Sequence, residues 1–250
     1  MKSAPESSDY NRRSFTLEGG HGRDPSKADF QPGLHVGIEA PDFPLLDLEE
    51  KTVRLSEYRH KKHVVAAFGC ITAPVFINDL TSLDRLYRQF KDQEIQFLVI
   101  YGREAHPGAN YTAHSSIEQK LAHARDLKRL EKIEFPILVD SLDGRAHHAF
   151  GTLPSPVYAI DKEGSIVYKA SWLIPHFLEL VLQELLKADK LKAEGARLSR
   201  LVYSESFLAV QTNYTVHERV FNRSGPGARE DVKKAFGVDP VELAKSQPKR

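Results

Sequence analysis

Residues 64–76 read VVAAFGCITAPVF, an apolar run that breaks at Gly69 and re-enters an apolar-periodic segment through Thr72-Ala73-Pro74. A short unbroken apolar run suits a strand covered on both faces. Proline suits the first helical position, where its missing N–H costs no intrahelical bond. The stretch therefore predicts a buried strand, a tight turn and a helix start. Such a junction aims free backbone N–H groups and the positive end of a helix dipole at one point, which stabilises a thiolate or selenolate.

Outward from this junction, Pro74–Phe90 carries Phe76, Leu80, Leu83, Tyr87 and Phe90 at helical spacing. Ile95–Tyr101 (IQFLVIY) is a second apolar strand, followed by the loop 102–108. Ser115 with Glu118 three residues later reads as a capping box opening a helix to about Leu130. A short third strand falls at 135–139, a short helix at 143–150, and strands at Val157–Ile160 and 165–169 flank the turn Asp161-Lys162-Glu163-Gly164. Phe177, Leu178, Val181, Leu182 and Leu185 mark a last amphipathic helix over 175–191. Ahead of the first core strand, alternating apolar pairs with Pro, Asp and Gly from Leu34 suggest a β-hairpin or extended wrap. The order β-α-β-α-β-(α)-β-β-α gives an α/β fold, a mixed sheet with helices on both faces and an antiparallel edge. Its site belongs at the carboxyl ends of the strands, where 69–74, 102–107 and 152–156 converge.

Composition narrows the function classes. With 250 residues, 41% of them hydrophobic, the chain can build one substantial core plus extensions. We divide it into an N-terminal arm over 1–33, polar and expected to be flexible, a domain over 34–192 and a C-terminal extension over 193–250. A formal net charge of +1 argues against an electrostatic nucleic-acid binder. No stretch reaches a membrane span's length and residues 1–14 lack an apolar signal region, so the expected compartment is the reducing cytoplasm. The single cysteine excludes an intrachain disulfide and multi-cysteine zinc sites.

The element order, Pro41-Asp42-Phe43 ahead of the first core strand and Pro156 directly before the fourth resemble the thioredoxin-like superfamily, in particular its peroxiredoxin branch. More narrowly, FGCITAPVF, FLVIYGREAHP and HSSIEQK are similar to the iodothyronine deiodinase family over about 36–187, with Tyr101, Glu104, His106 and Pro107 the most specific run. That resemblance implies a junction reading Phe, Gly, Ser, Cys, Thr, selenocysteine or cysteine, Pro. Phe68, Gly69, Thr72 and Pro74 match it, Cys70 falls where serine is usual, Ile71 where the auxiliary cysteine would be, and Ala73 takes the nucleophile's place. Alanine cannot attack iodine, peroxide or disulfide. The implication is a pseudoenzyme, or a chain whose nucleophile has been replaced. The resemblance also implies a proton-supplying network of Glu104, His106 and His114 beside Thr72, with Lys120 where arginine is usual. Read without it, a loop glutamate and histidine are solvated charges.

Two readings of Cys70 stand side by side. Near a helix N-terminus it could serve as a relocated redox thiol, a one-cysteine peroxidase that an external thiol must reduce. At a strand end it is a small buried hydrophobe, the reading favoured by a position that moves the sulfur off the helix-terminal N–H groups. His147-His148, and His60 with His63, show no metal spacing or carboxylate partner and read as surface histidines. Pro156 is either a cis proline placing Ser155 against Thr72 and Ala73 or an ordinary turn proline. Trp172 and Tyr168 wall a pocket or fill core. Beyond Leu191, the extension carries an apolar patch over 198–210 and a terminal helix over 230–236. It is expected to pack back on the domain, or join a homodimer, through Leu201, Val202, Tyr203, Phe207 and Leu208.

Function is thus expected to lie between a thiol-dependent reductive deiodinase or peroxidase by descent and a non-catalytic module for a small aromatic or hydrophobic ligand or a protein partner. No metal or cofactor is called for.

Overall fold

The computed structural model describes residues 10–15, 34–153, 155–198 and 213–246. Among them a seven-stranded sheet has the order β2-β1-β5-β4-β3-β6-β7. The strands are β1 (Leu45–Leu46), β2 (Thr52–Val53), β3 (His63–Gly69), β4 (Ile95–Tyr101), β5 (Ile137–Val139), β6 (Val157–Ile160) and β7 (Ile166–Ala170). β3, β4 and β5 run parallel, while β6 returns antiparallel to β3 and pairs β7. This is the thioredoxin-like arrangement.

β3 shows why the apolar run folds this way: all seven of its residues are buried. Val65 and Ala67 face one core, Val64, Ala66 and Phe68 the other. β4 repeats the pattern, with Phe97, Val99 and Tyr101 on the first side and Leu98 and Ile100 on the second. The period-2 alternation of a strand is therefore apolar on both phases, as a sheet covered on both faces requires.

The first face is covered by α1 (Pro74–Phe90), α2 (Ile117–Glu131) and α4 (Pro175–Ala193), the second by α3 (Arg145–Phe150) and the segment from Leu34 onward. α1 starts at Pro74 and buries Phe76, Ile77, Leu80, Leu83, Leu86 and Phe90, with Tyr87 at the rim. Gly69 is required beneath it, because a Cβ there would lie 2.2 Å from the Phe76 ring. α2 begins one residue later than the capping box places it: Ser116 caps, accepting from Gln119 N, and Gln119 Oε1 accepts from Ser115 N. In α4 the buried stripe is Leu178, Val181, Leu182, Leu185 and Ala188. Phe177, expected on that stripe, is 49% exposed, a full 100° round the helix from Leu178. The β6–β7 turn closes as its sequence predicts, Gly164 at φ +89 and Ser165 N donating to Asp161 Oδ1.

Both sheet edges are occupied. β1 pairs β5 and hands the outer position to the two-residue β2. Beyond β7, Gly37 N donates to Ile166 O (2.6 Å), Ile166 N to Ile38 O (2.8 Å) and Ala40 N to Gly164 O (2.8 Å).

Three further helices follow: α5 (Tyr214–Ser224), α6 (Ala228–Phe236) and α7 (Pro240–Lys245). α6 contains the terminal helix expected over 230–236, and α5 packs on α1, sending Val220 into the main core. Phe221, Ala228, Val232 and Val241 form a satellite core that takes in Phe15 and Phe236. Leu201, Val202, Tyr203, Phe207 and Leu208, through which the extension was expected to dock, lie outside the described residues. Of the arm, 10–15 are described, and Tyr10 is 1% exposed.

Two histidine expectations are corrected. His63 is buried and its Nε2 lies 2.9 Å from Asp189 Oδ2, a partner supplied by α4 from 126 residues away. His147 is buried at the carboxyl end of the sheet. Ser155–Pro156 is trans, and Pro156 O accepts from Phe68 N at 2.9 Å. Tyr168 fills core.

Candidate functional site

At the carboxyl ends of β3 and β4 the chain reverses into two loops that hold one another. Gly102 N donates to Gly69 O (3.2 Å) and Ala105 N to Cys70 Sγ (3.2 Å). His106 N donates to Thr72 Oγ1 (3.2 Å). The β4 loop thus supplies three N–H donors to the β3 loop, and they fix the position of the helix start.

The centre is Glu104, whose side chain is fully buried. Tyr101 Oη donates to its Oε1 at 2.6 Å, and Thr72 Oγ1 to its Oε2 at 2.6 Å. His114 Nε2 and His123 Nδ1 each lie 3.0 Å from Oε1. Because the carboxylate accepts, both rings donate, and the His114 Nδ1 is left buried without a partner. Tyr101 Oη in turn accepts from Ile71 N (3.3 Å), so Ile71, at the auxiliary-cysteine position, is tied in through its backbone. Burial alone would raise the Glu104 carboxyl, but hydrogen bonds and charge from His114 and His123 outweigh it and hold it well below the usual carboxylate range. Burial lowers His114, against the pull of Glu104.

Of the residues picked out in the sequence, Thr72, Glu104 and His114 come together. His106 does not join them: its ring stands between Phe15 (4.7 Å) and Phe221 (5.2 Å), where burial, aided by His217, brings it down to about 3. Only its backbone N–H reaches the network. Ala73 sits at the N-cap of α1, 1% exposed, presenting a methyl group where a nucleophile is expected. Cys70 is equally buried, lies 3.5 Å from Thr72 Oγ1, and burial with the nearby Glu104 charge pushes its thiol well up. An un-ionised, enclosed sulfur is a poor nucleophile, so this geometry fits the hydrophobe reading. Lys120, in the arginine position, is fully buried, donates to Ser141 O (2.9 Å) and is lowered by burial to about 8.

His123 escaped the sequence reading. Its signal lay in the helix phase: Lys120, His123, Ala124 and Leu127 occupy one inward face of α2. Glu104, His114 and His123 are also the described group whose donor atoms, all within 4.8 Å of one another, could hold a metal ion. Two imidazoles and a carboxylate suit a zinc-like divalent cation. As arranged, however, the donors converge on Oε1 itself, which accepts from Tyr101, His114 and His123. The oxygen, rather than a gap, is the focus. Chemically the network holds an ionised carboxylate one hydrogen bond from Thr72, with two donor imidazoles on its other oxygen.

Residues 36–169 match the AhpC/TSA family. The chain is 32% identical over 171 residues to thyroxine 5-deiodinase of Gallus gallus, covering 62% of this chain and 64% of that one. To the enzyme of the same name from Sparus aurata it is 28% identical over 154 residues, 57% of each chain. It therefore spans about three-fifths of these relatives' length. Among solved structures, an uncharacterized conserved protein from Geobacillus kaustophilus superposes with TM-score 0.50 at 20% identity, covering 61% of this chain and 82% of that one. A hypothetical protein from Sinorhizobium meliloti 1021 superposes at 0.51 and 16%, covering 69% and 92%. At these identities the superpositions speak to fold alone. The family match covers more than half of the chain, and with the deiodinase similarity it places the chain in the AhpC/TSA family as a deiodinase-like, thioredoxin-fold protein.

Proposed function

We propose that this chain is a non-catalytic, ligand-binding descendant of thiol-dependent reductive deiodinases or peroxidases. One observation carries the reading. The Glu104 hub is intact around Thr72, while the next residue, Ala73, has no atom that can attack iodine or oxygen. A polar site kept without its nucleophile serves binding rather than turnover, and a small aromatic or hydrophobic molecule is the ligand class expected for it. Cys70 as a substitute nucleophile is disfavoured by its burial and raised thiol. Were it to react, an external thiol would have to return the electrons, since the chain has no second cysteine.

The test measures hydrogen peroxide consumption and iodide release from thyroxine, with excess dithiothreitol, for the chain as it stands, Cys70→Ser and Ala73→Cys. Neither of the first two should turn over, because removing a covalent nucleophile costs about 10⁴-fold or more. Ala73→Cys should gain measurable turnover. Activity of the unmodified chain that disappears in Cys70→Ser would overturn the reading and make Cys70 the nucleophile. Glu104→Ala should weaken saturable ligand binding by the unmodified site.

A further inference from the structure

Tyr10, from a polar arm with no apolar period, is one of the most deeply buried aromatic side chains of the molecule. It stands at the carboxyl ends of β3 and β4 in a pocket built to its shape. His147 Nε2 lies 2.8 Å from Leu153 O and so must donate, which leaves Nδ1 as the acceptor for Tyr10 Oη at 2.7 Å. Arg103 Cζ lies 5.2 Å and Lys120 Nζ 5.6 Å from the ring centroid, both within cation–π range. Arg103 also donates to Tyr10 O, and Asn11 Nδ2 to Leu142 O. The space exists because residue 144 is glycine: a Cβ there would fall 2.1 Å from the ring, and its φ of +70 favours glycine as well.

The five residues after Tyr10 cross the Glu104 loop. Arg12, Ser14 and Phe15 face Arg103, Glu104, Ala105 and Pro107 across a small cavity. Phe15 then packs against His106 at a tilt and stacks on Phe236 of α6. The opposite side of His106 is closed by Phe221 of α5. The two sides are anchored differently. α5 is tied by Arg219 and Arg223 to Glu131, by Asn110 N to Ser224 O and by Val220 in the main core. The described residues 10–15 include no strand, and they are held by Tyr10 in its pocket, Asn11 on Leu142 O and Phe15 in the satellite core.

We propose that residues 10–15 are a latch over the Glu104 site, with Tyr10 as the bolt in a phenol-shaped socket formed by Arg103, Lys120, His147 and Gly144, and α5 as the fixed side of the opening. The latch regulates access to the site read above as a binding site, and to that extent it rests on that reading. Opening exposes the Cys70–Glu104 corner, and closure seals it.

The native Cys70, the chain's one thiol, accepts from Ala105 N of the loop that the latch crosses and so serves as the reporter of opening. N-Ethylmaleimide labelling of the full chain, followed by intact mass, should be slow. In Tyr10→Ala it should be faster by about tenfold or more, since loss of a buried aromatic anchor shifts a local opening equilibrium by at least that factor. Adding p-cresol, the missing side chain as a free molecule, should slow labelling of Tyr10→Ala again. Equal rates in the folded native chain and Tyr10→Ala overturn the proposal, as does labelling of Tyr10→Ala that p-cresol leaves unchanged. If Tyr10→Ala does not fold, Tyr10→Phe keeps the ring and loses only the hydroxyl to His147. Labelling a fewfold faster than native is then expected, and an unchanged rate overturns the latch. Labelling needs no turnover, so its failure leaves the non-catalytic reading standing. Turnover by the unmodified chain would sink that reading and leave the latch intact.

Discussion

Replacing Glu104 strikes the point where the two loops are joined. Four side-chain donors reach its carboxylate, from Tyr101, Thr72, His114 and His123, and neither Tyr101 nor Thr72 has any exposed surface through which water could substitute. Each buried donor left unpaired costs about 1–3 kcal/mol, and removing one member of a buried charged pair about 3–5 kcal/mol. These losses overlap, so Glu104→Ala should cost about 4 kcal/mol. Glu104→Gln keeps the volume and an acceptor at the Oε1 position, and loses the charge. Its NH2 then faces Thr72 Oγ1, whose proton must turn toward Cys70 Sγ, 3.5 Å away and a weak acceptor. About 2 kcal/mol is expected for that variant, half the alanine cost. Urea denaturation at pH 7, followed by fluorescence of the single tryptophan, gives both values from the midpoints at constant slope. In a chain of this size the alanine variant should melt roughly 8–16 °C lower. A cost for Glu104→Ala below about 1 kcal/mol, or a glutamine variant worse than alanine, would refute the hub.

Two further outcomes follow from neighbouring contacts. His106 titrates at about 3 in the folded chain against an ordinary 6.5, so the unfolded chain takes up its proton first. The stability lost through this group is therefore nil above pH 6.5 and grows as pH falls toward 3, by up to about 1.4 kcal/mol per pH unit. His106→Phe, between Phe15 and Phe221, should flatten urea midpoints measured from pH 7 to pH 4; a profile unchanged by the substitution would assign the acid lability elsewhere. Glu131, 9% exposed and holding both Arg219 and Arg223, should when changed to alanine release α5 by about 1–2 kcal/mol. Hydrogen exchange confined to residues 214–224 reads that release, and unaltered protection there would show that Val220 alone holds the helix.

Much of the sheet could be read from the chain because local rules and global fold agree there. β3 and β4 are apolar on both phases, Pro74 marks a helix start, and Asp161 to Gly164 has hairpin chemistry. The helix phases were legible to within a residue or two, Phe177 being the miss, since an apolar residue at a helix start is not thereby part of the stripe. The site was legible where the family resemblance reached it, as with Thr72 after β3, Glu104 after β4 and His114 ahead of α2. It was not legible where the partner arrives from another element. His123 needed the phase of α2, His63 needed Asp189 from α4, and Tyr10 needed a socket assembled from residues 102 to 148. His106, only two positions from Glu104, turned its ring the other way because α5 and Phe15 offer it an aromatic slot.

The way the sheet ends on each side governs how copies of this chain can meet. A new strand docking by its backbone needs a row of open N–H and C=O groups. On one side it finds β2, two residues long. On the other, residues 37–40 already take the groups of Gly164 and Ile166. Among the described residues neither edge therefore offers a long open row for strand addition, whether as a sheet-continuing dimer or as the first layer of a fibre, so a homodimer of the kind expected for the extension is better served by helices. Phe177 and Leu180 on α4 are, with Leu130 on α2 and Leu243 on α7, among the exposed apolar groups that such a helix-mediated contact would cover.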